Sequence, residues 1–525
     1  MQIACKRHTE LPHTSKLFGD FLYHYDRVAE FYPHPPFHAD SFEASAKSIL
    51  YPADRRAKLV EVLRAQNGDH DALRELGKAD TVAVVTGQQV GLFSGPAYTI
   101  YKALTAVRLA RRLTEQGLNA VPVFWLATED HDLAEVSYAW TFNSAQELVA
   151  LRVNHGGLTD APVGGISIAA PPLQELHSSL AGLPFGEEVE ALVRQAYVPG
   201  RAFGPAFSDL LRSLLGEYGM LFFDPMHPAA RQLAAPFLAQ AVEAAPDLIE
   251  QLLQRNSKLA ESGYHAQVHI ERSTSLFFLI EDGHRLALRR KNGEYTTKDR
   301  RLSAEELKAR AAQLSPNALL RPVVQDYMFP TVAYIGGPAE LAYLAQSQVI
   351  YQTLLGRMPV AVPRNGFTLI DTRGKKLMER YALDLDGFFG GEEHLRELIA
   401  ARLIPPEIND LFTGVAEQTG ANLKKLRGAV DRFDPTLAAG LDRGAAKIQY
   451  QLSKMQRKVA RETMRRSERA KEESRYLYDL LYPHKHLQER FYSILPFLAR
   501  HGMDLVDRIY DAVHVDCPDH HLLYV

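Results

Sequence analysis

The chain has 525 residues, 46% hydrophobic and 23% charged, with a formal net charge of -3. That length exceeds one hydrophobic core and predicts roughly two to four domains, and the near-neutral balance argues against a generally nucleic-acid-binding surface. The two cysteines, Cys5 and Cys517, show no metal-ligand spacing, so a disulfide framework or zinc ribbon is unsupported and a reduced, intracellular protein is the simplest reading.

Met1 to Leu11 lacks the apolar core of a secretion signal, and no run approaches membrane-spanning length. A cytoplasmic protein with no membrane partner is therefore expected. Up to about residue 80 the pattern is helical. Phe18, Phe21, Leu22, Tyr25 and Val28 share a face, and Tyr32-Pro33-His34-Pro35-Pro36 interrupts whatever precedes it. His34 and His38 read as structural.

The segment Thr81 to Glu135 organises the rest. Thr81 to Val85 is a short β-branched run ending near Gly87, which predicts a buried strand. Tyr101, Leu104, Val107, Leu109 and Leu113 then recur at helical spacing, with Gly117 as the stop. A second strand-like run, Ala120 to Ala127, ends in Thr128-Glu129-Asp130-His131-Asp132. Strand, helix and strand make one β-α-β crossover of a parallel sheet. The loops leaving both strands then emerge on one edge, where ligands of open α/β sheets bind. With these two strands flanking the switch point, the loops line one crevice.

Two poles follow from that crevice. Pro96 fits the first turn of the helix, whose free amides suit an anion. Glu129, Asp130 and Asp132 suit an ammonium or a divalent metal. The alternative for the acidic cluster is a plain helix cap formed by Asp130 or Asp132.

Beyond Glu135 an insertion is expected from about Tyr138 to Pro199, punctuated by Gly156-Gly157, Gly164-Gly165 and Pro171-Pro172. The core resumes with a helix from about Gly204 and the strand-like Met220 to Phe223. Asp224-Pro225, which follows, reads as turn chemistry rather than ligand contact. A second insertion spans about Pro246 to Asn317. It has a helix around Leu248 to Leu259, strands at Gln267 to Ile270, Ser275 to Ile280 and Arg285 to Arg290, and a hairpin turn at Glu281-Asp282-Gly283. Arg285, Arg289, Arg290 and Lys291 read as a solvated edge defended by charge, in preference to a phosphate site. The core returns at Arg321 to Gln346, where strand-like Thr331 to Ile335 meets Gly336-Gly337-Pro338 and a helix, repeating the first corner.

From about Glu392 to Leu481, Leu423, Leu426, Val430, Phe433 and Leu437, and again Ile448, Leu452, Met455 and Val459, form heptad seams, with Asp434-Pro435 between them. An antiparallel helical hairpin is the economical structure, and its seam suggests self-association. Its second arm is basic from Lys454 to Arg475, which reads as a solvated face in preference to a nucleic-acid arm. The tail, Phe491 to Val525, is apolar enough to fold back on the core.

The strings TGQQVGLFSGPAYTIYKA and VFWLATEDHDLAEV, with GYHAQV at Gly263 to Val268 and PTVAYIGGPAELAYLAQ at Pro330 to Gln346, resemble the cysteine-adding family of bacillithiol biosynthesis. The resemblance covers nearly the whole chain. It implies a Rossmann-like parallel-sheet core similar to class I aminoacyl-tRNA synthetases, with two inserted connecting-peptide subdomains and a projecting coiled coil used for homodimerisation. The implied organisation is core at 1–137, 201–245 and 318–388, insertions at 138–200 and 246–317, a coiled coil at 389–490, and a tail at 491–525.

The implied reaction is a ligation that joins the carboxyl group of cysteine to the amine of glucosaminyl-malate. Because amide formation from a free carboxylate is uphill, ATP or another nucleotide is expected. Gly95-Pro96-Ala97-Tyr98 sits where the first synthetase signature might be, and no lysine-serine nucleotide loop stands out. On this reading an anionic group sits near Gly95 to Tyr98 with Lys102 adding charge. Asp130 and Asp132 hold cysteine's ammonium or Mg²⁺, His131 takes the proton of the attacking amine, and Gln88 and Gln89 orient hydroxyls or a carbonyl. Gly87, Glu129, Gly336 and Gly337 complete the expected substrate wall. The reacting thiol belongs to substrate, since neither cysteine lies in these motifs. Two other readings remain open: a nucleotidyltransferase or hydrolase with another small substrate, and an RNA-associated binding protein using the basic hairpin.

Overall fold

A computed structural model describes residues 2–154, 160–291 and 293–525. Gly156-Gly157, part of the expected first insertion, lies outside the described residues. The chain forms two compact units, Met1–Thr368 with Glu489–Leu523, and Leu369–Gln488 with Tyr524–Val525.

The first unit is built on a five-stranded sheet in the spatial order Val360–Pro363, Thr331–Gly336, Val82–Gln89, Ala120–Ala127, Leu221–Phe223. All neighbours are parallel. Val82 to Gly87 is buried without a break, because helices cover both faces of a parallel sheet and leave no solvent side to alternate toward. Gly87 is required by a close approach: a Cβ there would meet the Trp125 carbonyl oxygen at 2.8 Å and the Trp125 Cβ at 2.9 Å. The helix Tyr98–Glu115 makes the first crossover, ending just before Gly117 as expected.

The strand order corrects one expectation. From Val82–Gln89 the chain grows outward through Ala120–Ala127 to Leu221–Phe223, then returns to the other side with Thr331–Gly336 and Val360–Pro363. The switch point therefore lies between Val82–Gln89 and Thr331–Gly336, not between the first two strands. Thr86 Oγ1 donates to the Ile335 carbonyl at 2.9 Å across this junction.

Around the sheet, Tyr138–Phe142 and Leu148–Arg152 pair as an antiparallel ribbon, followed by helices Leu173–Leu180 and Gly186–Ala196. The helix expected from about Leu248 is the second half of a 34-residue helix, Pro228–Glu261, with Pro236 and Pro246 inside it. An internal proline costs roughly 3 kcal/mol, and the buried face through Phe237, Leu238, Val242 and Leu248 offsets it.

A second, five-stranded sheet contains the hairpin Thr274–Glu281 and His284–Lys291, turning at Asp282 and Gly283 as expected. The strand expected at Gln267 to Ile270 does not form. The Gln346 side-chain amide takes the place of a neighbouring strand, accepting from the Val268 N–H at 2.9 Å and donating to the Val268 carbonyl at 2.8 Å. The amino-terminal strand Gln2–Lys6, not foreseen from the sequence, pairs with His520–Tyr524 from the tail.

In the second unit, helices Pro406–Phe433 and Pro435–Arg466 form an antiparallel hairpin turned by Asp434, whose side chain accepts from the Thr436 N–H at 2.8 Å. Its register is tied by Arg427 to Asp442 at 2.8 Å and by Gln456 Nε2 to Asn409 Oδ1 at 3.0 Å. The heptad positions divide between two faces. Leu423, Val430, Leu452 and Val459 are half-buried inside the hairpin, whereas Leu426, Phe433, Leu437 and Met455 face outward. In the basic arm Arg465 and Arg466 both pair with Glu462, and Arg469 with Glu473. Among the described residues no helix is long and apolar enough to cross a membrane.

Candidate active site

At the carboxyl edge of the parallel sheet a cavity of about 570 Å³ opens over the switch point, entirely within the first unit. Its volume falls in the range of small-molecule sites. The end of the strand Val82–Gln89 and the loop after Ala120–Ala127 both reach it, whereas residues 90–97 do not line it.

Gly87, Gln88, Gln89, Tyr98, Lys102, Glu129, Asp130, His131 and Gly337 all line the cavity. Gly95, Asp132 and Gly336 do not. Gly95 closes a buried turn, its N–H donating to the Leu92 carbonyl at 2.9 Å. Asp132 is the cap of the short helix Leu133–Val136, accepting from the Glu135 N–H at 3.1 Å. Gly336 spends its carbonyl on the Arg364 N–H at 2.9 Å. Of the amides after Pro96, those of Ala97, Thr99 and Ile100 donate to the carbonyls of Tyr492, Pro96 and Ala97, so the expected anion site narrows to Tyr98, which lines the cavity. His34, His38 and Asp224 lie away from it too; Asp224 accepts from the Thr128 hydroxyl and the Met226 N–H.

The centre of the floor is an ion pair across the switch point. Lys102 Nζ, 1% exposed, lies 2.7 Å from Glu340 Oε2, and also donates to the Gly87 carbonyl and to Gln88 Oε1 at 3.2 Å. Glu340 further accepts from the Gly337 N–H at 2.8 Å and the Tyr334 hydroxyl at 2.6 Å. Burial alone would raise this carboxyl, but Lys102 and these donors hold it below the usual carboxylate range. Burial lowers the Lys102 ammonium, and Glu340 opposes that.

To one side lies a cationic pole. The Arg321 guanidinium is held by neutral groups, donating to the hydroxyls of Tyr343 at 2.9 Å and Tyr334 at 3.2 Å and to Gln325 Oε1 at 3.2 Å. Arg364 is buried against Glu489 in a two-pronged pair at 2.5 and 2.8 Å. Arg364 and the exposed Arg490 both lie over the Tyr98 ring, at 5.2 and 5.8 Å. Burial raises the Tyr98 hydroxyl despite these two cations. Sequence reasoning missed Arg321, Arg364 and Glu340, because isolated polar residues carry no spacing signal, and Arg490, because it stands in a polar run far along the chain from the other site residues.

The other pole is acidic. Asp130 accepts from Gln89 Nε2 at 2.6 Å and from the His131 N–H at 2.7 Å. Gln89 Nε2 also reaches Glu135 at 3.1 Å. Glu129 is 5% exposed and has no ion-pair partner within 4 Å among the described residues.

Arg285, expected on a solvated edge, is instead buried here. It donates to His131 Nδ1 at 2.9 Å, Ser315 Oγ at 3.0 Å and the Pro316 carbonyl at 3.0 Å, and packs 3.8 Å above the Phe278 ring. A guanidinium only donates, so Nδ1 is the acceptor of this contact and Nε2 is left as the ring's N–H. His131 thus offers a hydrogen-bond donor to the cavity, not the basic nitrogen expected from the sequence.

A parallel sheet whose switch point opens on a two-pole cavity, joined to a long helical hairpin, defines a Rossmann-like protein with a coiled-coil domain. Residues 1–365 match the family model described as the bacillithiol biosynthesis BshC N-terminal Rossmann-like domain, and residues 367–525 match the BshC C-terminal coiled-coil domain. The chain is 54% identical over 525 residues to a protein of Solibacter usitatus named "Putative cysteine ligase BshC", covering 100% of each. Proteins of the same name from Koribacter versatilis and Salinibacter ruber are 36% and 31% identical, over 98% of both chains and over 97% and 96%. The chain therefore belongs to the BshC family of bacillithiol biosynthesis, whose members bear the name of cysteine ligases.

Proposed function

We propose that the cavity performs the last step of bacillithiol biosynthesis, joining the carboxyl group of cysteine to the amine of glucosaminyl-malate after a nucleotide activates that carboxyl. The observation that carries the reading is an unmatched set of charges. Among the described residues Arg321 and Arg490 have no carboxylate within 4 Å and Glu129 no cation within 4 Å, with Arg231 and Arg285 acting on Glu129 only from farther away, and all three line one cavity. The buried Glu129 and the half-buried Arg321, charges without a partner in contact, suit a ligand that brings the opposite charges, and the exposed Arg490 stands at the same cavity.

Malate carboxylates fit Arg321, whose fork binds a carboxylate in two prongs, and cysteine's ammonium fits Glu129. Arg490 and Arg364, beside the cavity-lining Ala339 and Glu340 of the helix Pro338–Leu354, suit nucleotide phosphates. When bound, the nucleotide supplies the anhydride that makes the cysteine carboxyl reactive. His131 Nε2–H donates to the carboxyl oxygen, and Arg285 keeps it in that tautomer. Among the described residues the acidic side chains of this pole do not converge on one point as a metal shell does, and both Asp130 oxygens are engaged, so this pole suits an ammonium better than Mg²⁺ and no step is assigned to a metal.

A second copy of the chain is expected on the outward seam of the hairpin, where Leu411, Leu426, Phe433 and Leu437 are 69%, 49%, 85% and 53% exposed. Sedimentation of wild type as a dimer and of Leu426→Lys/Phe433→Lys as a monomer would support this. The reaction is tested by mass spectrometry of protein incubated with cysteine and glucosaminyl-malate, with ATP present or absent. Nucleotide-dependent bacillithiol supports the reading, with AMP or ADP as co-product separating adenylate from acyl phosphate. No product with any nucleoside triphosphate contradicts it.

A further inference from the structure

We propose that Cys5, Cys517 and His521 form a binding site for a zinc-type divalent cation, separate from the cavity. The ligands come from the two ends of the chain, so no spacing in the sequence announces them. They meet because Gln2–Lys6 pairs with His520–Tyr524 at the edge of a sheet. One ligand atom from each residue lies within 4.8 Å of the other two. Cys5 is exposed and Cys517 half-buried, the latter placed by a turn in which its N–H donates to the His514 carbonyl at 3.0 Å.

The independent observation is the imidazole. His521 is 0% exposed, and neither ring nitrogen makes a hydrogen bond of ordinary geometry; the Gly366 backbone is the one group close enough to interact with the ring as a hydrogen-bond partner. Buried polar atoms are nearly always paired, and an orphaned one calls for an explanation. Its ring stacks on Phe367 at 5.3 Å and 27°, which fixes the plane in which the nitrogens lie. A bound cation uses both sulfurs and one ring nitrogen at once, leaving the other nitrogen to the Gly366 backbone. A Cys5–Cys517 disulfide would use the sulfurs and add no partner for the ring.

The donor set selects the ion. Two thiolates and one imidazole suit Zn²⁺ in tetrahedral geometry, which sets the sulfurs about 3.8 Å apart at ordinary Zn–S lengths, inside the observed spread. Binding displaces both thiol protons to solvent and forms two metal–sulfur bonds and one metal–nitrogen bond. The nearby Asp519 carboxylate is held by the Tyr23 hydroxyl at 2.8 Å, so water takes the fourth position. The bound ion ties the amino-terminal strand to the carboxyl-terminal one.

The test uses full-length reduced protein, freed of chelator and titrated with Zn²⁺ alone and Co²⁺ alone. We expect one ion per chain, thiolate-to-cobalt charge-transfer bands with tetrahedral visible absorption, and a zinc-dependent rise in Tm. Cys5→Ser, at an exposed position that tolerates substitution, is expected to weaken binding at least about a hundredfold and to remove part of the charge-transfer intensity. Absence of stoichiometric binding in reduced wild type overturns the proposal, as does unchanged binding in Cys5→Ser. Isolation without reductant as a Cys5–Cys517 disulfide that no zinc-bound form accompanies overturns it in favour of a redox pair.

Discussion

The switch point is flanked by two corners in which a strand passes through glycine and proline into a helix, and the two have different fates. After Val82–Gln89 the turn is long: Phe93, Ser94 and Gly95 take φ of 50°, 73° and 64°. Tyr197 clamps it, accepting from the Phe93 N–H at 2.9 Å and donating to the Gly91 carbonyl at 3.2 Å. The amides of Ala97, Thr99 and Ile100 are consumed by neighbouring carbonyls. After Thr331–Gly336 the turn is Gly337 alone, in extended backbone, and Pro338 starts the helix at once. Its first turn faces the cavity and delivers Glu340 to Lys102. A glycine–proline pair therefore fixes where a helix starts. Whether its amides are free depends on how many residues of turn lie between strand and helix.

The largest effect is expected at the second corner. Glu340→Ala leaves Lys102 buried without its carboxylate, and breaking such a pair costs roughly 3–5 kcal/mol. Urea unfolding should show that loss together with reduced turnover. Next is acid lability at the cationic pole. Burial would raise the Glu489 carboxyl, but Arg364 holds it at about 2, well below the ordinary glutamate value near 4.5. A depressed native pKa gives stability that is full above pH 4.5 and lost as pH falls from 4.5 through 2, about 3 kcal/mol in all. Unfolding measured at pH 6, 4 and 3 should show this fall in wild type and a flatter profile in Glu489→Gln.

The first corner should respond more weakly and without touching chemistry. Tyr197→Phe removes the clamp on the 91–95 turn and is expected to cost about 1–2 kcal/mol, with KM for both substrates unchanged; a raised KM would put that corner back in the site. Asp132→Ala removes only a cap, about 1 kcal/mol or less. Turnover should persist, whereas its loss would restore the catalytic reading of Asp132.

What the sequence revealed divides on the same physical line. Val82–Gln89, Ala120–Ala127 and Thr331–Gly336 were legible because strands covered on both faces are continuous apolar runs, and Asp434-Pro435 because capping is local. The order of the strands was not, since local pattern does not say which parallel run lies beside which, and the switch point was misplaced as a result. Arg285 read as an edge charge because its strand alternates, and its partner His131 stands in a distant loop. Gln88, Gln89, Glu129, Asp130 and His131 could be placed on one sheet edge because they crowd the ends of two strands, and Lys102 because it follows one turn into the helix. Arg321, Arg364, Arg490 and Glu340 are charges that only the fold assembles. The resemblance supplied the family, which the full-length match bears out.

The central claim is that unmatched charges in the cavity are filled by substrate. Isothermal titration of glucosaminyl-malate into wild type and Arg321→Met tests it most directly, with Arg108→Met, a residue on the helix 98–115 that does not line the cavity, as the control. The account predicts that Arg321→Met weakens binding at least about tenfold, some 1.4 kcal/mol, while the control binds as wild type does. Equal affinity in all three proteins would contradict it.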